Sequence, residues 1–135
     1  MLKFEILDHP SDLKIKIFGK GKKELFENAV FAMGECLRPE IEIPEKNTKS
    51  KIKIKSADLF SLLVDFLSEV LYRAQVNKEI YYKVKFDKIS DTELKAELFG
   101  EKVKRFGLEI KGVTYHNLNI EKKNSQWQAV VLFDI

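Results

Sequence analysis

The stretch KIKIKSADLFSLLVDFLSEVL, residues Lys51 to Leu71, changes its hydrophobic period partway along, and that change decides how the chain folds. In its first part Ile52 and Ile54 alternate with Lys51, Lys53 and Lys55, the period of two of a strand with one buried face. From Leu59 onward the apolar residues are Leu59, Phe60, Leu62, Leu63, Phe66, Leu67, Val70 and Leu71, a stripe of helical spacing. Ser56 or Asp58 supplies the side-chain oxygen that caps a helix start. A helix is expected from Asp58 to about Gln75, and the width of its stripe marks it as the central, more buried one.

The same switch occurs earlier. Leu13 to Phe18 alternates Leu13, Ile15 and Ile17 with Lys14 and Lys16, and Lys22 to about Leu37 carries Leu25, Phe26, Ala29, Val30, Met33 and Leu37 on one helical face. Lys14 to Ile17 repeats as Lys51 to Ile54, and both helices share a Leu-Phe-x-x-apolar-Val-x-x-apolar pattern, beginning at Leu25 and Leu59. Either duplicated strand–helix halves or the general likeness of amphipathic elements accounts for the echo.

Between the halves, residues 38–50 contain Pro39, Pro44 and Asn47 and read as a long loop with a short edge strand at residues 41–43. The remainder reads as β. Tyr82, Val84 and Phe86, then a turn at Ser90-Asp91, then Leu94, Ala96 and Leu98 make a hairpin. Gly100 and Gly107 bracket a charged connection. Two last strands run roughly over residues 109–120 and 126–134, joined at Lys123-Asn124-Ser125. The last is apolar on both faces and belongs inside a sheet. The expected fold is α+β, a single domain over residues 1–135, with antiparallel or mixed β-sheets packed with two amphipathic helices.

Composition agrees with that size. Among 135 residues, 24 basic and 21 acidic side chains leave a net charge of +3, which neither demands nor excludes a nucleic-acid partner. Cys36 is the only cysteine, so an intramolecular disulfide and a Cys-rich zinc site are excluded. Its place on the helical stripe predicts a buried, inert thiol. No signal peptide is expected from residues 1–8, and no apolar run approaches the ~18 residues of a membrane span. A cytoplasmic protein with no membrane partner is expected.

An enzyme site is hard to find. His9 and His116 are the only histidines, no nucleophile elbow accompanies them, and Walker A and G-x-G-x-x-G loops are absent. Gly19-Lys20-Gly21-Lys22 reads as a strand-to-helix turn. The lysines of the two KIKI strands would form a basic stripe suited to RNA phosphates if those strands were neighbours, and otherwise are solvated faces. Asp8-His9-Pro10-Ser11-Asp12 packs two carboxylates and an imidazole into five residues, as a polar turn or as ligands. Asp134 ends an almost wholly apolar strand, where a half-buried carboxylate needs donors or a cation. If the last strand pairs with the first, Asp12 and Asp134 converge. Clustered carboxylate and carbonyl oxygens, with Ile135 adding one, favour a hard divalent cation such as Ca²⁺, Mg²⁺ or Mn²⁺.

Four blocks, in order along the chain, carry a resemblance. They are Asp8-His9-Pro10-Ser11-Asp12, the helix Asp58 to Tyr72, the segment Ile110-Lys111-Gly112-Val113-Thr114-Tyr115-His116, and the terminal Phe133-Asp134-Ile135. Together they resemble the archease family. The family's first motif is nearer D-H-T-A-D-V-G, so Pro10, Ser11, Leu13 and Lys14 depart from it while both carboxylates remain. The resemblance implies a protein that is no enzyme itself. It implies an activator of the GTP-dependent RNA ligase of the RtcB type, promoting guanylylation and multiple turnover in tRNA splicing and RNA repair. It places the metal at Asp12, Asp134 and Ile135 and a functional lysine at Lys111. Asp8, His9, Tyr115 and His116 are further candidates without an assigned task. The alternative from the residues alone is an RNA-binding or chaperone-like module using the lysine-rich strand faces.

Overall fold

The computed structural model describes residues 2–7, 11–42 and 47–135, and for residues 116–118 the backbone alone. Among the described residues the elements in chain order are β1 (Phe4–Leu7), β2 (Leu13–Gly19), α1 (Lys22–Cys36), β3 (Pro39–Ile41), β4 (Asn47–Lys55), α2 (Leu59–Asn77), β5 (Glu79–Ile89), β6 (Glu93–Phe106), β7 (Gly112–Lys123) and β8 (Gln126–Asp134). Both period changes read from the sequence are therefore real strand-to-helix switches. They feed different sheets.

The first sheet has the order β1-β2-β8-β7, with the doubly apolar β8 inside it as expected. In the second, β4 and β5 flank β6 on its two edges, and β3 pairs with the last residues of β6. Every pairing is antiparallel. Helix α1 packs against β1, β2 and β8 of the first sheet and β5 of the second, while α2 packs against β7 of the first and β4 and β5 of the second. The helices thus form a layer between two sheets. The buried residues join into one cluster from Ile15 and Ile17 through both helices to Leu94 and Leu98. At its centre Phe66 lies 5.8 Å from Phe26 and 6.1 Å from Phe86, ring centre to ring centre, tying α2 to α1 and to β5. Each such fully buried side chain contributes roughly 1.5–3 kcal/mol through the apolar surface it removes from water.

Several expectations change. Helix α1 is the more buried, with 9 of its 15 residues inside against 8 of 19 for α2. The wide stripe on α2 overstates its burial, because at its start Phe60 faces outward and Leu59 is only half-buried. Strand β3 lies two residues earlier than predicted, starting at Pro39, where an edge strand needs no N–H. The expected loop yields its last residues to β4; positions 43–46 lie outside the described residues. Strand β1 has no counterpart among the expected elements.

Residues 101–106 are no connection but the second half of β6. Gly100 is needed for close approach, not for a turn: a Cβ there would collide with the Ile80 carbonyl oxygen. β5 shifts register between Tyr81 and Lys83, a bulge that resets its alternation. Tyr81 is consequently buried and Tyr82 exposed, opposite to the simple alternation read from Tyr82, Val84 and Phe86. Strands β7 and β8 meet at Asn124 and Ser125, with φ of 52° and 64°, the left-handed pair that a tight two-residue hairpin turn requires. The two strand–helix halves place β2 and β4 in separate sheets, so the KIKI strands are not neighbours and the basic stripe they would have shared does not form. Among the described residues no helix is long and apolar enough to cross a membrane.

Candidate functional site

The β2–β8 ladder ends at the pair Leu13 and Phe133; Asp12 lies in the bend just before β2, and Asp134 is the last residue of β8. On the other side of β8, Gly112 of β7 pairs with Asp134, and the Lys111 N–H donates to the Asp134 carbonyl oxygen at 2.6 Å. Asp12 and Asp134 thus each stand one residue beyond the same ladder pair, and the backbone of Lys111 lies beside Asp134. Fully buried Phe133 and Ile110, the chain neighbours of Asp134 and Lys111, anchor this end of the sheet to the core. The Gln75 amide of α2 donates to the Ile110 carbonyl at 2.8 Å and fixes the approach to Lys111.

Asp134 and Lys111 are exposed, and Asp12 is half-buried. Asp134 thus sits further out than an apolar strand suggested, because the burial of β8 stops at Phe133. Ile135 is 40% exposed beside it. Asp12 makes a polar interaction within the chain. Two carboxylates with backbone oxygens nearby are a hard, all-oxygen donor set that suits Ca²⁺ or Mg²⁺ holding several waters. The set is small: among the described residues no group of three or more His, Cys, Asp or Glu side chains gathers to hold a metal. Asp8 and His9, and the His116 side chain, lie outside the described residues.

Tyr115 stands elsewhere on the same strand. Its hydroxyl donates to Oδ1 of Asp65 at 2.7 Å, while the Ser56 hydroxyl donates to Oδ2 at 2.6 Å. The bond to Asp65 raises the Tyr115 phenol above its usual value. Asp65 thus links β7, α2 and the end of β4. Sequence reasoning misses it, although a carboxylate set between Val64 and Phe66 in an apolar run is the available signal. Asp58, not Ser56, caps α2 by accepting from the Ser61 N–H at 2.8 Å.

The glycines around Lys20 behave as a turn. A Cβ on Gly19 would collide with the Leu25 backbone nitrogen, and the Lys20 N–H donates to Glu24 Oε1 at 3.1 Å. A carboxylate already occupies the place a phosphate would take.

Two antiparallel sheets around a helix layer, with acidic strand ends set beside a lysine, define a small class of α+β proteins. The model of the Archease protein family matches residues 4–135. The chain belongs to the archease family. An archease of Methanosarcina barkeri is 39% identical, the match spanning 98% of this chain and 95% of that protein. One of Thermoplasma acidophilum is 33% identical, over 99% and 94%. The solution structure of a Methanobacterium thermoautotrophicum protein, 27% identical, superposes with a TM-score of 0.71 over 98% of this chain and 99% of that one. A Thermotoga maritima crystal structure described as an archease and possible chaperone gives 0.70 over 96% and 94%; at 17% identity it speaks for the fold alone.

Proposed function

We propose that this archease-family protein is a metal-binding cofactor of a GTP-dependent RNA ligase of the RtcB type, promoting its guanylylation and multiple turnover in tRNA splicing and RNA repair. The observation that supports the reading is the register that sets Asp12 and Asp134 each one residue beyond the Leu13–Phe133 pair, with the Lys111 N–H donating to the Asp134 carbonyl oxygen. Asp12, Asp134 and an oxygen of Ile135 would hold the divalent ion. When bound, that ion supplies positive charge to phosphate oxygens during nucleotidyl transfer. Lys111, exposed beside it, adds a point charge for a phosphate or an acidic partner group. The strand ends open outward, so a ligase can receive them without the core being disturbed. Binding is transient, the RNA is reached through the ligase, and the protein works in the cytoplasm.

The test is ligation turnover by a cognate ligase, with and without this protein, across GTP and Mn²⁺ concentrations. Addition should convert a single turnover into many. Asp134→Ala should remove the stimulation with an unchanged circular dichroism spectrum, and Lys111→Ala should impair guanylylation. Full stimulation by a folded Asp134→Ala protein would refute the proposal. The other reading, RNA binding on a stripe shared by both KIKI strands, loses its footing with their separation into two sheets.

A further inference from the structure

Strand pairing in the second sheet builds a basic face that neither KIKI strand forms alone. On the side of β6 away from the helices, Phe99 is flanked by Lys49 of β4 and Lys83 of β5; Glu97 by Lys51 and Lys85; and Lys95 by Lys53 and Lys88. Beyond them Lys55 faces Glu93. All eight of these lysines are exposed. Against them stand Glu93 and Glu97, with Asp87 at the register shift of β5. Glu93 is already engaged, 3.1 Å from Lys88 and 3.8 Å from Lys55.

Two features separate this face from an ordinary solvated one. The row Lys53, Lys95, Lys88 sets three like charges across neighbouring strands, and among the described residues Lys88 alone of these is ion-paired, with Glu93. Like charges directly opposite destabilise a sheet, and an anion over Lys53 and Lys95 would relieve it. The half-buried Phe99 ring lies among cations, with Lys83 Nζ 5.9 Å and Lys49 Nζ 6.0 Å from its centre. Alternate residues along a strand stand about 6.6 Å apart and neighbouring strands about 4.8 Å, so the ammonium groups form a two-dimensional grid rather than a line. A grid of cations around one aromatic ring fits a flexible chain of phosphates carrying bases that stack.

We propose that the outer face of β4, β6 and β5 binds single-stranded RNA, its lysines taking the phosphates and Phe99 stacking a base. This goes beyond the proposed ligase role and does not rest on it. The face is separate from Asp12 and Asp134, which belong to the other sheet.

The experiment measures binding of a labelled 12-nucleotide oligouridylate to the full chain by fluorescence anisotropy over a salt series, with no ligase present. Affinity should fall with salt. The Lys53→Gln, Lys85→Gln, Lys95→Gln triple variant should bind at least tenfold more weakly. Its logarithmic salt slope should shrink by about 2, roughly 0.7 for each phosphate deprived of its lysine. Phe99→Leu, which keeps apolar bulk in the strand, should bind about fivefold more weakly with the slope unchanged. Lys14→Gln with Lys16→Gln, on the first sheet, should stay within twofold of the parent. The proposal fails if the parent does not bind at low salt, or if the triple variant keeps the parent slope. It fails equally if the first-sheet variant loses as much, if inorganic polyphosphate of equal charge binds as tightly, or if phosphatidylserine vesicles compete the RNA away. Because the ligase is absent, either proposal can fall while the other stands.

Discussion

Burial pushes the Cys36 thiol up to about 11, with Glu35 adding to the effect and Arg38 opposing it. Its place on a helical stripe predicts this, and the structure puts it 7% exposed on α1. At pH 8 only about one molecule in a thousand then carries the reactive thiolate. Iodoacetamide should therefore label the native protein far more slowly than the denatured one; equal rates would place the thiol at the surface. A raised value stabilises the fold below the ordinary thiol value of 9.0, and that contribution is lost as pH rises toward 11. Asp65 and Tyr115 show the opposite case, in which spacing tells little. Their bond joins residues 50 apart in the chain, and only packing of β7 along α2 makes it.

At the scale of elements, α2 owes its start to Asp58, whose carboxyl is held below its ordinary value chiefly by the Ser61 N–H. A lowered value stabilises the fold above the ordinary 3.8 and is lost as pH falls through the folded value. Asp58→Ala should accordingly lower the thermal midpoint at pH 7, and the gap to the parent should narrow as the pH falls below the ordinary 3.8. Thermal melts across that range check it; a gap independent of pH would mean that the cap acts by geometry rather than charge. Strands with clean alternation, β2, β4 and the first half of β6, are legible because period two is a local property. The bulge in β5 and the length of β6 are not. Both depend on Ile80 crossing close over Gly100, an approach between strands that no single strand displays.

For the whole molecule, the proposed site lies where the ends of β2, β7 and β8 come together, and the last residues of β8 would form one side of it. Residues appended after Ile135 should therefore reduce metal binding and ligase stimulation more than a tag placed before Met1. Calorimetric titration with Mn²⁺ and the turnover assay, run on both tagged forms, measure this; equal behaviour would move the site away from the strand ends. The helix layer gives the molecule two separate outer faces. The acidic strand ends belong to one sheet and the lysine grid to the other.

Taken alone, the sequence determined the two strand-to-helix switches, the interior place of β8, the inert cysteine and the blocks that mark the family. Each of these is written in local period, residue chemistry or order along the chain. Tertiary structure decided which lysines stand together. It separated Lys14 and Lys16 from Lys51 and Lys53, and set the latter beside Lys85, Lys88 and Lys95 instead. It also brought Asp12 and Asp134, 122 positions apart in the chain, to the same end of one ladder. The physical reason is that strand register is a long-range choice: it is fixed by how two sheets close over one helix layer, and alternation within a strand carries no record of its partner.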